Sequence, residues 1–406
     1  MTTKGVWDLQ DVRDKLLAGD DWENIKSLYA WGQNNYGALG QNDRTDLSSP
    51  TQIPGTWNVD GTTMGFGGEN IASGVKSDGT FWVWGYNGDG GQLGLNAPLP
   101  SHKSSPTQIP GTTWKKNVIS GYAMNATKTD GTLWAWGYGS AGFLGLNDNT
   151  NRSSPAQIGT DTTWDEIPHV ANQSIVASKT DGTFWTWGFN QSGQLGLNQE
   201  GTNPGAGSIS SPTQIPGTTW STDHTKWGGG MNFRSTIKTD GTLWAWGMRD
   251  YGQLGLNSVG SNPVNTGISS PIQVGTESTW KTVTGGKYYF SGGTKTDGTL
   301  WVWGRNDDDA TLGLNDRTSR SSPTQIPGTT WDKVEAGVNV FFATKTDGSL
   351  WAWGSQYKGG LGLNSNTSTG PSRYSSPVQV GTSTLWDTLV TNNRNSRMNG
   401  AFLKSF

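Results

Sequence analysis

Lys128-Thr129-Asp130-Gly131-Thr132-Leu133-Trp134-Ala135-Trp136-Gly137 is the stretch on which the fold turns. Asp-Gly offers the positive φ values that a tight type I′ hairpin turn demands. The residues after it alternate with period two, placing Trp134 and Trp136 on one face and Leu133 and Ala135 on the other. Both faces are apolar, so the strand is covered on both sides. The same words return along the chain. Trp-Gly recurs with its Trp at 31, 84, 136, 187, 246, 303 and 353, at spacings of 53, 52, 51, 59, 57 and 50 residues. Ser-Ser-Pro follows in step seven times, and the Lys-Thr/Ser-Asp-Gly turn appears six times.

A unit of about 50 residues holding about four short strands matches one blade of a β-propeller. The fold class is therefore all-β, a seven-bladed β-propeller of four-stranded blades over residues 28–406, preceded by a short helical leader at 1–27. Of the 23 tryptophans, 20 keep phase with the repeat. A ligand cage needs one or two special aromatics, whereas a packing layer uses the same one in every copy. The indoles are thus expected to cement blade to blade, in twin rows. The last repeat stops where an Asp-Gly turn should begin, and Leu28-Tyr29-Ala30-Trp31-Gly32 is the strand that should follow one. The closing blade is expected to be shared by the two chain ends, which removes two free sheet edges.

Composition excludes several classes of function. There is no cysteine, so disulfide scaffolds, cysteine zinc sites and thiol catalysis are absent. The net charge is −3 and only 15% of residues are charged, which argues against a nucleic-acid surface. No apolar run is long enough for a helical membrane span, and the N-terminus has no apolar signal-peptide core. His102, His169 and His224 fall in different repeats without metal-ligand spacing and read as isolated surface residues. Asp307-Asp308-Asp309 lacks the alternation and glycine of a calcium loop and reads as a solvated turn. No nucleophile–base pair stands apart from the repeat, so no enzyme, cofactor or metal is implied.

These repeats resemble the regulator-of-chromosome-condensation family, through Trp187-Gly188-Phe189-Asn190-Gln191-Ser192-Gly193-Gln194-Leu195-Gly196, the Ser-Pro element and the Asp-Gly hairpin. The resemblance implies a seven-bladed propeller. It departs from the family's frequent Gly-x-x-His element, where Gly337-Val338-Asn339-Val340 and Gly121-Tyr122-Ala123-Met124 stand instead.

In a four-stranded antiparallel blade, the connections between strands one and two and between strands three and four share one disc face. In this chain those connections vary while the opposite ones are nearly constant, so the variable face is the candidate binding surface. On it stand Tyr36, Tyr86, Tyr138, Tyr251, Tyr288, Tyr289 and Tyr357, with Arg249 and Arg305. Tyrosine gives a rigid amphipathic contact suited to sugars or protein surfaces.

In the leader, Asp8 caps a short helix carrying Leu9, Val12 and Leu16, ended by Gly19. The wording of residues 5–14 resembles leaders on structural proteins of marine tailed phages. The first functional reading is therefore a non-enzymatic virion surface component, a tail fibre or decoration protein. It would bind a host-surface glycan or protein through the variable face and other virion proteins through residues 1–27, with no nucleic acid and no membrane insertion. The alternatives are a protein-binding or inhibitory propeller, as in bacterial relatives of the fold that block β-lactamases, and nucleotide exchange on the Ran GTPase with chromatin attachment. Against the last stand Asp8, Asp11, Asp14, Asp20, Asp21 and Glu23, where the family has a basic tail.

Overall fold

The structure, a computed structural model, describes residues 27–55, 57, 64–67, 70–120, 122–171, 174–199, 207–217, 219–260, 267–307, 309–357, 360–364, 371–390 and 398–404. The expected leader helix lies outside these residues, as do the variable stretches 200–206, 261–266 and 365–370. The chain enters with β1 (Ser27–Gly32) and β2 (Leu47–Gln52). The first blade is β3 (Met64–Gly67), β4 (Ile71–Val75), β5 (Phe81–Gly85) and β6 (Lys103–Ile109); the second is β7 (Trp114–Ser120), β8 (Ala123–Lys128), β9 (Leu133–Gly137) and β10 (Arg152–Gln157). The third holds β11 (His169–Ala171), β12 (Ser174–Ser178), β13 (Phe184–Gly188) and β14 (Ile209–Gln214), and the fourth β15 (Trp227–Gly230), β16 (Phe233–Ile237), β17 (Leu243–Gly247) and β18 (Ile268–Gln273). The fifth holds β19 (Trp280–Gly286), β20 (Phe290–Lys295), β21 (Leu300–Gly304) and β22 (Arg320–Ile326), and the sixth β23 (Trp331–Ala336), β24 (Val340–Lys345), β25 (Leu350–Ser355) and β26 (Arg373–Gln379).

The seventh blade closes the wheel. Its strand order is β2-β1-β28-β27, with β27 (Trp386–Val390) and β28 (Met398–Lys404) from the C-terminal end and β1 and β2 from the N-terminal end. Leu28 pairs with Leu403 and Ala30 with Ala401. The inner strands touch in an unbroken cycle, β3 to β7, β11, β15, β19, β23, β27 and back to β3. The expected propeller and its shared closing blade are both present.

The Trp-Gly indoles form the blade-to-blade core. Trp31, Trp84, Trp136, Trp187, Trp246, Trp303 and Trp353 are all completely buried. Burying an indole removes roughly 150–250 Å² from water, a gross stabilisation of roughly 4–6 kcal/mol each. Five of them also donate Nε1–H across the boundary, among them Trp187 to the carbonyl of Phe143 at 3.1 Å and Trp246 to that of Gln194 at 3.0 Å. The glycine of Trp-Gly is required by backbone crowding. At Gly137, φ is +104°, and a Cβ would lie 2.4 Å from the carbonyl oxygen of Tyr122. The last glycine of Gly-x-Leu-Gly is required by the indole itself, since a Cβ on Gly94 would lie 2.5 Å from Nε1 of Trp136.

Two expectations are corrected. The Asp-Gly turn is not type I′, because only its glycine takes positive φ, as at Gly131 (+76°). The bond from Gly131 N–H to the Lys128 carbonyl closes a type I turn that ends in a left-handed glycine. The aspartate is held by its own chemistry: Oδ1 of Asp130 accepts from the Thr132 amide at 3.0 Å and from its hydroxyl at 2.6 Å. Secondly, the two tryptophan rows are not equivalent. Trp82, Trp134, Trp185, Trp244, Trp301 and Trp351 are half-buried at the blade margin. Each donates its indole N–H to the hydroxyl of the turn, as Trp134 does to Thr132 at 2.8 Å. The turn lysine then caps the indoles: Lys128 Nζ sits 3.9 Å from the Trp134 ring and 4.6 Å from the Trp114 ring. This arrangement recurs for Lys76, Lys179, Lys238, Lys295 and Lys345.

Candidate functional site

Fixed backbone bonds hold the variable loops together. The residue after Trp-Gly donates its amide to the connection between strands one and two, as Tyr138 does to Tyr122 (3.0 Å) and Arg305 to Tyr289 (2.8 Å). The two loop families therefore meet on one disc face, and side chains at their tips are set side by side across blade boundaries.

The nine residues singled out from the sequence do not form one continuous patch; the ring contacts group several of them. Tyr36 of the closing blade meets Tyr86 of the first blade edge-on at 4.9 Å. His102 completes that group, stacked on Tyr86 at 5.0 Å and 4.9 Å from Tyr36, with its Nδ1 accepting from the Asn87 amide. Burial and the nearby Arg44 hold its pKa below the ordinary value, so the ring favours its neutral form. The reading of His102 as an isolated surface histidine is thus overturned; its distance in sequence from Tyr36 hid the contact. His224 lies 4.0 Å from the Asp223 carboxylate, and the side chain of His169 is outside the described residues. Tyr138, exposed, packs edge-on against Tyr122 and Phe143.

The densest group spans the fourth and fifth blades. Tyr251 and Tyr289 stack with ring centroids 4.9 Å apart and planes 16° from parallel, and Arg305 lies 5.2 Å from the Tyr251 ring. Arg305 Nε donates to Asp307 at 2.6 Å. Asp250, beside Arg249, is pushed up by burial, and burial together with Tyr251 and Asp250 raises Tyr289. Tyr289 also has φ of +70°, where the first and fourth blades place Asn70 (+63°) and Asn232 (+60°). Asparagine tolerates this conformation; a tyrosine there stores on the order of 1–3 kcal/mol of strain. Tyr288, with Lys287 over its ring at 4.8 Å, lines a cleft of about 120 Å³ with Phe290, Arg305, Asp307, Asp309 and Asn339. Asn339 Nδ2 donates to Asp309 at 2.5 Å, so the acidic turn is braced by neighbours rather than simply solvated; Asp308 is outside the described residues. Tyr357 is exposed in the sixth blade, and Arg249 is half-buried in the fourth. His102, Tyr122, Asp250 and Lys287 were missed from sequence, because nothing local marks them.

Among the described residues no cluster of three or more His, Asp or Glu could hold a metal ion, and no helix is long and apolar enough to cross a membrane. The face can offer aromatic planes, a guanidinium and fixed carboxylates to a partner surface.

The model of the regulator of chromosome condensation (RCC1) repeat matches residues 27–69, 130–171, 181–223 and 240–290. The chain carries RCC1 repeats. Its wheel is similar to solved RCC1-type propellers: Prp20p of Saccharomyces cerevisiae, with a TM-score of 0.77, 16% identity and coverage of 94% of this chain and 92% of that one, and human WBSCR16, with a TM-score of 0.73, 16% identity and coverage of 94% and 99%. In sequence the chain is 27% identical over 316 residues to the ultraviolet-B receptor UVR8 of Arabidopsis thaliana, covering 75% of this chain and 66% of that protein. It is 28% identical over 262 residues to mitochondrial RUG3 of the same plant (56% and 55%) and 26% identical over 329 residues to the ubiquitin ligase HERC2 of Homo sapiens (78% and 6%). The chain thus spans less than two thirds of each of these three relatives.

Proposed function

We propose that this RCC1 propeller is a non-enzymatic binding protein that grips a macromolecular partner through its variable loop face, centred on Tyr251, Tyr289 and Arg305. The strained backbone at Tyr289 carries the reading. Where the first and fourth blades take this left-handed conformation with asparagine, the fifth has accepted a costly tyrosine, which stacks on a second tyrosine beside an arginine. Strain of this kind persists at contact sites, and Tyr–Arg clusters dominate the energetics of protein interfaces. Of the two partner classes, a protein surface suits this cluster better than a glycan, since the guanidinium is already set beside Asp307 to form a charged network. Propellers of this fold do engage proteins: the yeast Prp20p structure is described with its binding to Gsp1p and histones.

The setting we propose is a virion surface, with a host-surface protein as the partner and residues 1–27 as the attachment segment. It is supported by the wording of residues 5–14 and by the low charge and absence of cysteine. The relatives named above come from a plant and an animal, so the leader and the composition alone support this setting. Purified chain should attach to host cells, and the triple variant Tyr251→Ala, Tyr289→Ala, Arg305→Ala should lose that attachment while keeping its melting temperature. Attachment unaffected by the triple variant sinks the face assignment, and absence of the chain from purified particles sinks the virion setting.

A further inference from the structure

Away from the loop face, two grooves open between the outer parts of neighbouring blades, on the side of the Asp-Gly turns. One, of about 410 Å³, lies between the second and third blades and is lined by Asn147, Gln157, Asp161, Trp185 and Pro212, among others. The second, of about 440 Å³, lies between the fourth and fifth blades. Its lining repeats the first position for position, with Asn257, Gln273, Glu277, Trp301 and Pro323. Both volumes fall within the range of small-molecule sites.

These two boundaries differ from the others in one chemical respect. Of the seven segments that run from an outer strand to the tryptophan that follows it, only those beginning Ile158-Gly159-Thr160-Asp161 and Val274-Gly275-Thr276-Glu277 carry an acid. That acid pairs with the lysine caged by the two indoles: Asp161 Oδ2 with Lys179 Nζ at 2.6 Å, and Glu277 with Lys295. The lysines are nearly buried, whereas the acids reach the groove mouth and remain part-exposed. In the same walls, Trp164 and Trp280 are more than nine-tenths buried and their indole N–H groups find no acceptor among the described residues. The lysine charge is therefore neutralised in place, and the groove presents an oriented carboxylate, two planar side-chain amides and the margin of a half-exposed indole.

We propose that these two grooves are saccharide-binding sites, each taking one neutral sugar ring. An anion is disfavoured because the lysine already has its carboxylate. A wholly apolar ligand is disfavoured because it would strip water from the two amides and the acid without replacing their hydrogen bonds. A pyranose meets both demands: its C–H face lies on the indole and proline, and its hydroxyls donate to the carboxylate and pair with the amides. Two equal sites in one rigid wheel, two blades apart, suit a polymer of repeated sugars, where the second contact becomes intramolecular. The sites are separate from the tyrosine face and stand or fall independently of it.

The test titrates the full chain with methyl glycosides of glucose, galactose, mannose and N-acetylglucosamine and with the disaccharides cellobiose and lactose, by calorimetry and saturation-transfer NMR. At least one should bind with two sites per chain. Trp185→Ala or Trp301→Ala should halve the stoichiometry, and the double variant should abolish it. Trp244→Ala, the same position beside a link without an acid, should leave it at two. Asp161→Asn with Glu277→Gln, which keeps the shape of the grooves, should weaken binding about tenfold. Absence of saturable binding to every member of the panel overturns the proposal, as does binding that survives the double tryptophan variant or that Trp244→Ala abolishes equally. Loop-face variants should leave sugar binding unchanged.

Discussion

Trp84 of the first blade donates its indole N–H to the carbonyl of Ala38 in the closing blade, 46 residues earlier, at 2.9 Å. This bond crosses the boundary between the closing blade and the first blade. The equivalent bond of Trp31, to the Gly360 carbonyl, secures the other side of the same blade.

Replacing Trp246 by Phe keeps an aromatic ring but removes the N–H that reaches Gln194. Loss of a buried hydrogen bond and of part of the packing should lower unfolding free energy by about 2–3 kcal/mol. A denaturant midpoint that does not move would show that the boundary is held without this bond.

Ala310 has φ of +51° where other copies place glycine, such as Gly91 and Gly252. Its methyl group is carried in a left-handed conformation for no evident gain. Ala310→Gly should therefore raise stability, by up to about 1 kcal/mol. Calorimetry of the single variant decides it, and a lower melting temperature contradicts the account.

The six turn aspartates, Asp78, Asp130, Asp181, Asp240, Asp297 and Asp347, are all held below the ordinary aspartate value, first by the Thr or Ser hydroxyl that donates to them and then by its amide. Asp161 is lowered to about 2 by Lys179 and Thr163. A carboxylate depressed in the folded state adds stability above its unfolded pKa, and that stability is lost as pH falls through the folded value. The melting temperature should be level from pH 7 to about 5 and fall steadily below about 4. A rise on acidification would contradict the sign.

Strand β28 pairs with β27 on one side and β1 on the other. Deleting residues 397–406 leaves both without a neighbour and opens the ring. The truncated chain should lose its cooperative transition at the wild-type temperature and expose sheet edges that promote association. Scanning calorimetry and sedimentation measure both, and an unchanged melting temperature refutes the shared blade.

Repeated Trp-Gly, Ser-Ser-Pro and Asp-Gly made the blade count and the composite seam legible before any coordinate, because each copy obeys the same local rules. The turn type was misread because Asp-Gly permits two geometries, and the bonds from Thr132 to Asp130 select between them. The lysine cages were equally in phase with the tryptophans, yet Lys128 reads as turn punctuation until its ammonium is seen over the Trp134 ring. The tyrosines were placed on the right connections, but their grouping was not visible. Tyr251 and Tyr289 stand 38 residues apart and touch only because one blade ends where the next begins.

The sequence by itself determined the repeating unit, its strands and its closure, since those follow from period-two alternation, glycine conformations and the phase of the ends. Tertiary structure alone decided which side chains share a boundary: His102 with Tyr36, Arg305 with Tyr251, Asp161 with Lys179. The physical reason is that strand patterning acts between neighbours along the chain. The angle at which adjacent wedges meet is set by indoles packed between them, and no single copy encodes what its neighbour will present.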